Sequence, residues 1–175
     1  MKRLILLAAA IIAIGACSSH GAKEYVIHGT VSDPNLEGVQ VFLVPLKNAT
    51  AETVDSVYIK NQKFEFRGTE EDIKDLRIDK RARIGVENLL VITEPGDIYV
   101  TLGQVSSGSG TKQNDSLQVW KNITMTYNAE ISALMTTNQP DVRKGIMETY
   151  NARSRQMMEN VGKNTTLGKF LDMLF

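Results

Sequence analysis

Leu89-Leu90-Val91-Ile92-Thr93-Glu94-Pro95-Gly96-Asp97-Ile98-Tyr99-Val100-Thr101-Leu102 is the stretch whose reading decides the fold class. Two runs rich in apolar and β-branched residues, 89–93 and 98–102, flank Glu94-Pro95-Gly96-Asp97, which has proline and glycine at the two central positions of a turn. Proline presets the φ of the first central position of a type II turn, and glycine accepts the positive φ of the second. The spacing therefore predicts a β-hairpin with its tip at 94–97 and Gly96 at positive φ.

Upstream, the period of two continues. Tyr25, Ile27 and Val31 precede an Asp33-Pro34-Asn35 turn, and Val39, Val41 and Leu43 alternate with Gln40, Phe42 and Val44 until Pro45. That second run is apolar on both faces, as a central strand would be. Residues 54–60 and 63–67 read as two strands of a hairpin joined at Asn61-Gln62. Glu70-Glu71-Asp72 reads as a solvated acidic loop, Leu76 and Ile78 alternate with charged neighbours, and Lys80 to Arg83 form a solvated basic turn. Six to eight strands are expected between Glu24 and Gly110. The fold class is mainly β with an α appendage: an antiparallel β-sandwich or partly closed barrel, rather than a parallel sheet, followed by a helical hairpin.

The period lengthens at Asn114. Leu117, Trp120, Ile123, Tyr127, Ile131 and Leu134 share one stripe of a helix ending near Thr136, with Asp115 as its expected N-cap and Gln118 three residues on. A second helix carries Val142, Ile146, Tyr150, Met157 and Val161 on one face and ends at Gly162. Leu167, Phe170, Leu171 and Leu174 imply a third, short helix. With Phe175 they concentrate apolar surface at the C-terminal end, a place for a protein partner or for packing against the first two helices.

Catalytic and ligand chemistry finds little support in the residues. Ser106-Ser107-Gly108-Ser109-Gly110-Thr111-Lys112 lies where a phosphate loop would lie, but it lacks the P-loop ending and the third glycine of a dinucleotide fingerprint, so it reads as a flexible connector. His20 and His28 make no recognisable metal site. Ser56, His28 and Asp55 lack the strand-turn-helix elbow of a nucleophile. Glu70 and Glu71 sit in a polar run, and Met147, Met157, Met158 and Met173 read as adaptable helix packing rather than copper ligands. Catalytic residues, cofactor and metal site are expected to be absent, no small-molecule substrate is identifiable, and the chain is expected not to be an enzyme. The 20 basic and 20 acidic residues balance, which gives no nucleic-acid electrostatics.

The N-terminal end carries the clearest address. Lys2 and Arg3 precede an apolar run from Leu4 to Ile14, in the layout of a secretory signal, and the run is too short for a bilayer core that takes ~20 residues. Ile14-Gly15-Ala16-Cys17 closes it with the only cysteine in the sequence and resembles the lipobox of bacterial lipoproteins. That resemblance implies lipidation at Cys17, removal of residues 1–16 and attachment to a lipid bilayer through acylated Cys17. Removal of Lys2 and Arg3 leaves 18 basic against 20 acidic residues, net −2. With Cys17 committed to lipid, no thiol remains for a disulfide or a redox pair. Ser18, in place of the aspartate that retains many lipoproteins at the inner membrane, favours the outer membrane, facing the periplasm.

The order of motifs resembles a β-rich family. Tyr25-Val26-Ile27-His28-Gly29-Thr30-Val31, Gly38-Val39-Gln40-Val41-Phe42-Leu43, Asp55-Ser56-Val57, Phe64-Glu65-Phe66-Arg67-Gly68, Glu94-Pro95-Gly96-Asp97-Ile98 and Val105 to Gly110 leading into Asn114-Asp115 are similar to the domain of unknown function numbered 4369. That domain occurs in lipoproteins of Gram-negative bacteria, commonly ahead of a thioredoxin-like domain of the AhpC/TSA or TlpA/ResA kind. The resemblance implies a signal peptide at 1–16, a tether at 17–23, the β-rich domain at 24–111 and a helical segment at 112–175 linking to a further domain. The family's Cys-x-x-Cys has no counterpart here. The expected function is a membrane-anchored, non-catalytic binding or positioning module, with the front part of a thiol-disulfide oxidoreductase as the alternative.

Overall fold

The computed structural model describes residues 23–79, 85–135 and 139–175. The signal run, His20, Cys17, the tether up to residue 22 and the Lys80-to-Arg83 turn lie outside the described residues. Among those described, eight strands form two four-stranded sheets. The first contains β1 (Tyr25–Val31), β4 (Lys63–Gly68), β7 (Gly96–Leu102) and β8 (Ser107–Ser109), in the order β4-β1-β7-β8. The second contains β2 (Gln40–Pro45), β3 (Asp55–Tyr58), β5 (Ile73–Ile78) and β6 (Leu89–Ile92), in the order β3-β2-β5-β6. The sheets pack face to face and do not close into a barrel. Three helices follow: α1 (Lys112–Ala133), α2 (Pro140–Val161) and α3 (Thr166–Asp172).

Two cores make this a three-layer arrangement. Between the sheets lie Ile27, Val41, Leu43, Phe66, Leu76, Val91, Ile98 and Leu102, drawn from alternate positions of each strand as the period of two requires. On the far side of the second sheet, Ile73 and Ile92 pack with Leu117, Met158, Val161, Leu167 and Leu171 of the helices. The apolar C-terminal end therefore folds back: Leu167 and Leu171 are fully buried, Phe170 meets Trp120 edge-on, and Phe175 meets Tyr150. The helical stripe read from the sequence holds. Tyr127 stacks on Tyr150 at 4.4 Å, and Ile123, Ile131 and Ile146 are half-buried, whereas Val142, expected on the same face of α2, is exposed near the start of that helix.

The 94–97 hairpin is not formed. β6 ends at Ile92 in the second sheet and β7 begins at Gly96 in the first, so Thr93-Glu94-Pro95 carries the chain across the sandwich. The reason lies in the two runs themselves. Leu89 and Val91 face the inter-sheet core while Ile92 and half-buried Leu90 face the helices, so β6 needs a sheet covered on both sides. β7 alternates Ile98, Val100 and Leu102 with outward Tyr99 and Thr101, which suits a sheet that faces solvent. Gly96 does take a positive φ, +125°, but its N–H donates to Glu24 O at 3.0 Å and opens the pairing of β7 with β1. That pairing is parallel, against the all-antiparallel expectation, and the excursion through the second sheet supplies the crossover a parallel pair needs.

The 54–67 hairpin is corrected in the same sense. Lys60 and Lys63 exchange backbone hydrogen bonds at 2.9 and 3.0 Å around Asn61 and Gln62, both at positive φ, and there the pairing ends. β3 joins β2 and β4 joins β1. The Glu37 carboxylate accepts from the N–H groups of Asn61 (2.9 Å) and Gln62 (3.1 Å), which helps hold this uncommon conformation for a non-glycine residue. The supposed flexible connector at 106–112 contains β8, paired with β7. Asp115 is not the N-cap of α1. Thr111 is, and Asp115 instead accepts from the Gly110 N–H at 2.9 Å.

Candidate functional site

α1 begins where three connections meet. Thr111 makes no side-chain capping bond; Glu94, arriving from the β6–β7 connection, caps the helix from outside. Its Oε1 accepts from the N–H groups of Gln113 (2.6 Å) and Asn114 (3.4 Å), donors that an α-helix leaves unpaired and whose dipole favours a carboxylate. The Gln113 amide spans the junction: Nε2 donates to Glu71 Oε1 (3.0 Å) and Glu94 Oε2 (3.1 Å), and Oε1 accepts from the Leu167 N–H at the start of α3 (2.9 Å). Thr166 donates to the same Glu71 oxygen at 2.6 Å. Glu71 is thus a joint between sandwich and helices, not a freely solvated loop acid. Asn114 reaches into the sheet, accepting from the Ile92 N–H (2.9 Å) and donating to Ile92 O (2.8 Å), so its amide acts as one more rung on the free edge of β6.

Beside this junction α1, β6 and β8 surround a pocket of about 170 Å³ lined by Leu89, Leu90, Gly108, Leu117, Trp120 and Asn88, with three further polar residues at its wall. Those three are engaged with the chain itself. Asn114 holds Ile92. Gln118 accepts from the Gly108 N–H (2.9 Å) and donates to Asn122 (3.0 Å), and the Lys121 ammonium donates to Glu87 Oε2 and to Ser106 O. Burial acts to raise the Glu87 carboxyl, but hydrogen bonds from Lys121 and the Ser106 N–H, with the charge of Lys121, outweigh it and hold the group below the usual carboxylate range.

The outer face of the first sheet carries His28. Its Nε2 lies 2.6 Å from Asp97 Oδ1, its Nδ1 lies 3.7 Å from Glu65 Oε2, and its ring stacks on Tyr99 at 5.1 Å. Nε2 is therefore hydrogen-bonded to Asp97, while Nδ1 stands near the Glu65 carboxylate but beyond hydrogen-bond distance. The neighbouring hydroxyls of Thr30 and Thr101 pair with each other at 3.0 Å.

The family model described as a domain of unknown function, DUF4369, matches residues 25–117. The chain belongs to that family. No curated protein and no solved structure matches the chain. The DUF4369 match runs past β8 into the second turn of α1 and so takes in Glu71, Glu94, Gln113 and Asn114, the residues that bind helix to sandwich.

The sequence-weighed sets separate in the DUF4369 fold. Ser56 and Asp55 stand on β3 in the second sheet, where Ser56 accepts from Gln40 Nε2 (2.8 Å) and Asp55 accepts from the Ser56 N–H (2.8 Å), while His28 stands in the first sheet with Asp97 and Glu65. Met158 is buried in the helical core, whereas Met147 and Met173 are exposed, so the methionines form no single cluster. Among the described residues no group of three or more His, Cys, Asp or Glu is placed to hold a metal ion, and no helix is long and apolar enough to cross a membrane. The pocket beside α1 was missed. Its sequence signals were weak: Gly108 in the 106–112 run, and Asn114 and Gln113 at the mouth of a helix.

Proposed function

We propose that this chain is a lipid-anchored, non-catalytic binding or positioning module on the periplasmic face of the outer membrane. Ile14-Gly15-Ala16-Cys17 carries the reading: Cys17 ends a short apolar signal and is the only cysteine, so a chain that commits it to lipid has no thiol for disulfide exchange. Acylation at more than one point gives stable attachment, since each buried CH₂ contributes ~0.8 kcal/mol. A protein partner at the C-terminal end would meet the exposed Met173 and Leu174, because Leu167 and Leu171 are turned inward. Mass spectrometry of the processed N-terminus in the wild type and in Cys17→Ser tests the proposal. A diacylated or triacylated Cys17 in the membrane fraction, lost with Cys17→Ser, is expected. An unmodified N-terminus at another residue would sink it.

A further inference from the structure

We propose that the groove on the outer face of the first sheet binds an acidic oligosaccharide, a chain of hydroxylated rings that carries carboxylates. This gives the binding module proposed above a ligand class and rests on that reading, although binding in solution and lipid attachment at Cys17 are measured separately and can fail separately. The groove has a volume of about 570 Å³, well above the ~150 Å³ that takes a single benzene ring. Among the described residues Tyr58 and Tyr99 are the only exposed aromatic side chains, and both line this groove. An exposed tyrosine offers a rigid apolar face with a polar tip, which suits a sugar ring whose faces are CH and whose rim is OH.

Two lysines supply the charge. Lys60 and Lys63 line the same groove and are bridge partners across Asn61 and Gln62, so two ammonium side chains stand opposite each other, a placement that costs stability until an anion joins them. Neither is paired with an acid among the described residues. The carboxylates of this face are held elsewhere: Glu65 accepts from Arg67 Nε (2.7 Å), and Asp97 is bonded to His28 (2.6 Å). The floor adds a site for a hydroxyl donor. Thr30 Oγ1 donates to Val100 O (3.2 Å) and lies 3.0 Å from Thr101 Oγ1, so Thr101 donates to Thr30 and keeps its own lone pairs for an incoming hydroxyl. β1 is paired with β4 and β7, and β7 with β1 and β8, so this floor has no open backbone rungs for an added peptide strand. An acidic peptide would keep the side-chain contacts alone.

The full chain carrying Cys17→Ser is titrated by isothermal calorimetry with trigalacturonate and with a hyaluronate tetrasaccharide, each compared with its methyl ester, and with tetraglutamate as an acidic peptide. Saturable binding of at least one acidic saccharide is expected, with its ester and the peptide about tenfold weaker or more. Lys60→Gln together with Lys63→Gln should bring the acid down to the level of its ester while leaving the melting temperature of the free protein unchanged or raised, as relief of a like-charge pair requires. Tyr58→Ala and Tyr99→Ala, checked for folding by circular dichroism, should each weaken binding about fivefold or more. No saturable binding of either acidic saccharide would overturn the proposal. So would equal binding of acid and ester, tetraglutamate binding as tightly, or undiminished binding in the folded tyrosine variants.

Discussion

Asn114→Ala removes the rung that the first turn of α1 lends to β6. Ile92 is fully buried and Asn114 nearly so, so the N–H and C=O of Ile92 lose their side-chain partners in a place water does not reach. A buried polar group left unmade costs ~1–3 kcal/mol, and two together cost about 3 kcal/mol if the site relaxes partly. At ~2–4 °C per kcal/mol for a chain of this size, the melting temperature should fall by roughly 6–12 °C. Asn114→Asp adds a sign. It keeps the acceptor for Ile92 N–H but loses the donor and buries a charge, so the new carboxyl should have a folded pKa above its ordinary value of ~3.9. The folded variant then holds its proton more tightly than the unfolded one. Its stability is complete below the unfolded pKa and is lost as pH rises through the folded pKa. The deficit against wild type should be largest at pH 7 and shrink toward pH ~4, where the protonated acid again donates to Ile92 O. Urea and thermal denaturation followed by circular dichroism at both pH values measure this. A melting temperature for Asn114→Ala within ~2 °C of wild type would refute the coupling. So would an Asn114→Asp deficit that does not change with pH.

Gly29→Ala should destabilise the sandwich by ~1–3 kcal/mol, because an added Cβ would lie 2.1 to 2.4 Å from three ring atoms of Phe64, its cross-strand partner. Phe64→Leu in the same chain should recover part of the loss, and a double-mutant cycle by urea denaturation that showed strict additivity would count against the contact. Glu87→Gln should lower stability at pH 7, since the depressed carboxyl contributes above its ordinary pKa. Wild type loses that contribution as pH falls through the folded pKa, so the two stability curves should converge in acid. Parallel curves from pH 7 to pH 3 would show that Lys121 and Ser106 do not hold the charge.

The local β and helical patterns were legible because burial on one face writes a period into the chain: Ile98, Val100 and Leu102 against Tyr99 and Thr101, or Trp120, Ile123 and Tyr127 along a helix. Partner choice was not. Leu89 to Ile92 is apolar throughout because it lies under both the first sheet and the helices, and that second cover comes from residues such as Leu117 and Leu167, far along the chain. Pro95-Gly96 signals a change of direction without saying whether the chain returns along the same sheet or crosses to the other. The junction escaped for a related reason: Glu71, Glu94, Gln113 and Thr166 are ordinary surface types whose roles depend on contacts between segments up to 95 residues apart. His28 shows the same limit, since its acids, Asp97 and Glu65, come from the two strands flanking β1.

The placement of β1 has a mechanical side. The segment before Tyr25 leads straight into a strand that is hydrogen-bonded along its length to β7 on one side and β4 on the other. Tension drawn along the chain from that segment runs parallel to β1 and loads both rows of rungs at once, in shear. An edge strand such as β8 would peel away rung by rung under a sideways pull. Were the chain held from that end, as proposed above, the load would enter at a strand paired on both sides, with the helices on the opposite sheet off the path of the force.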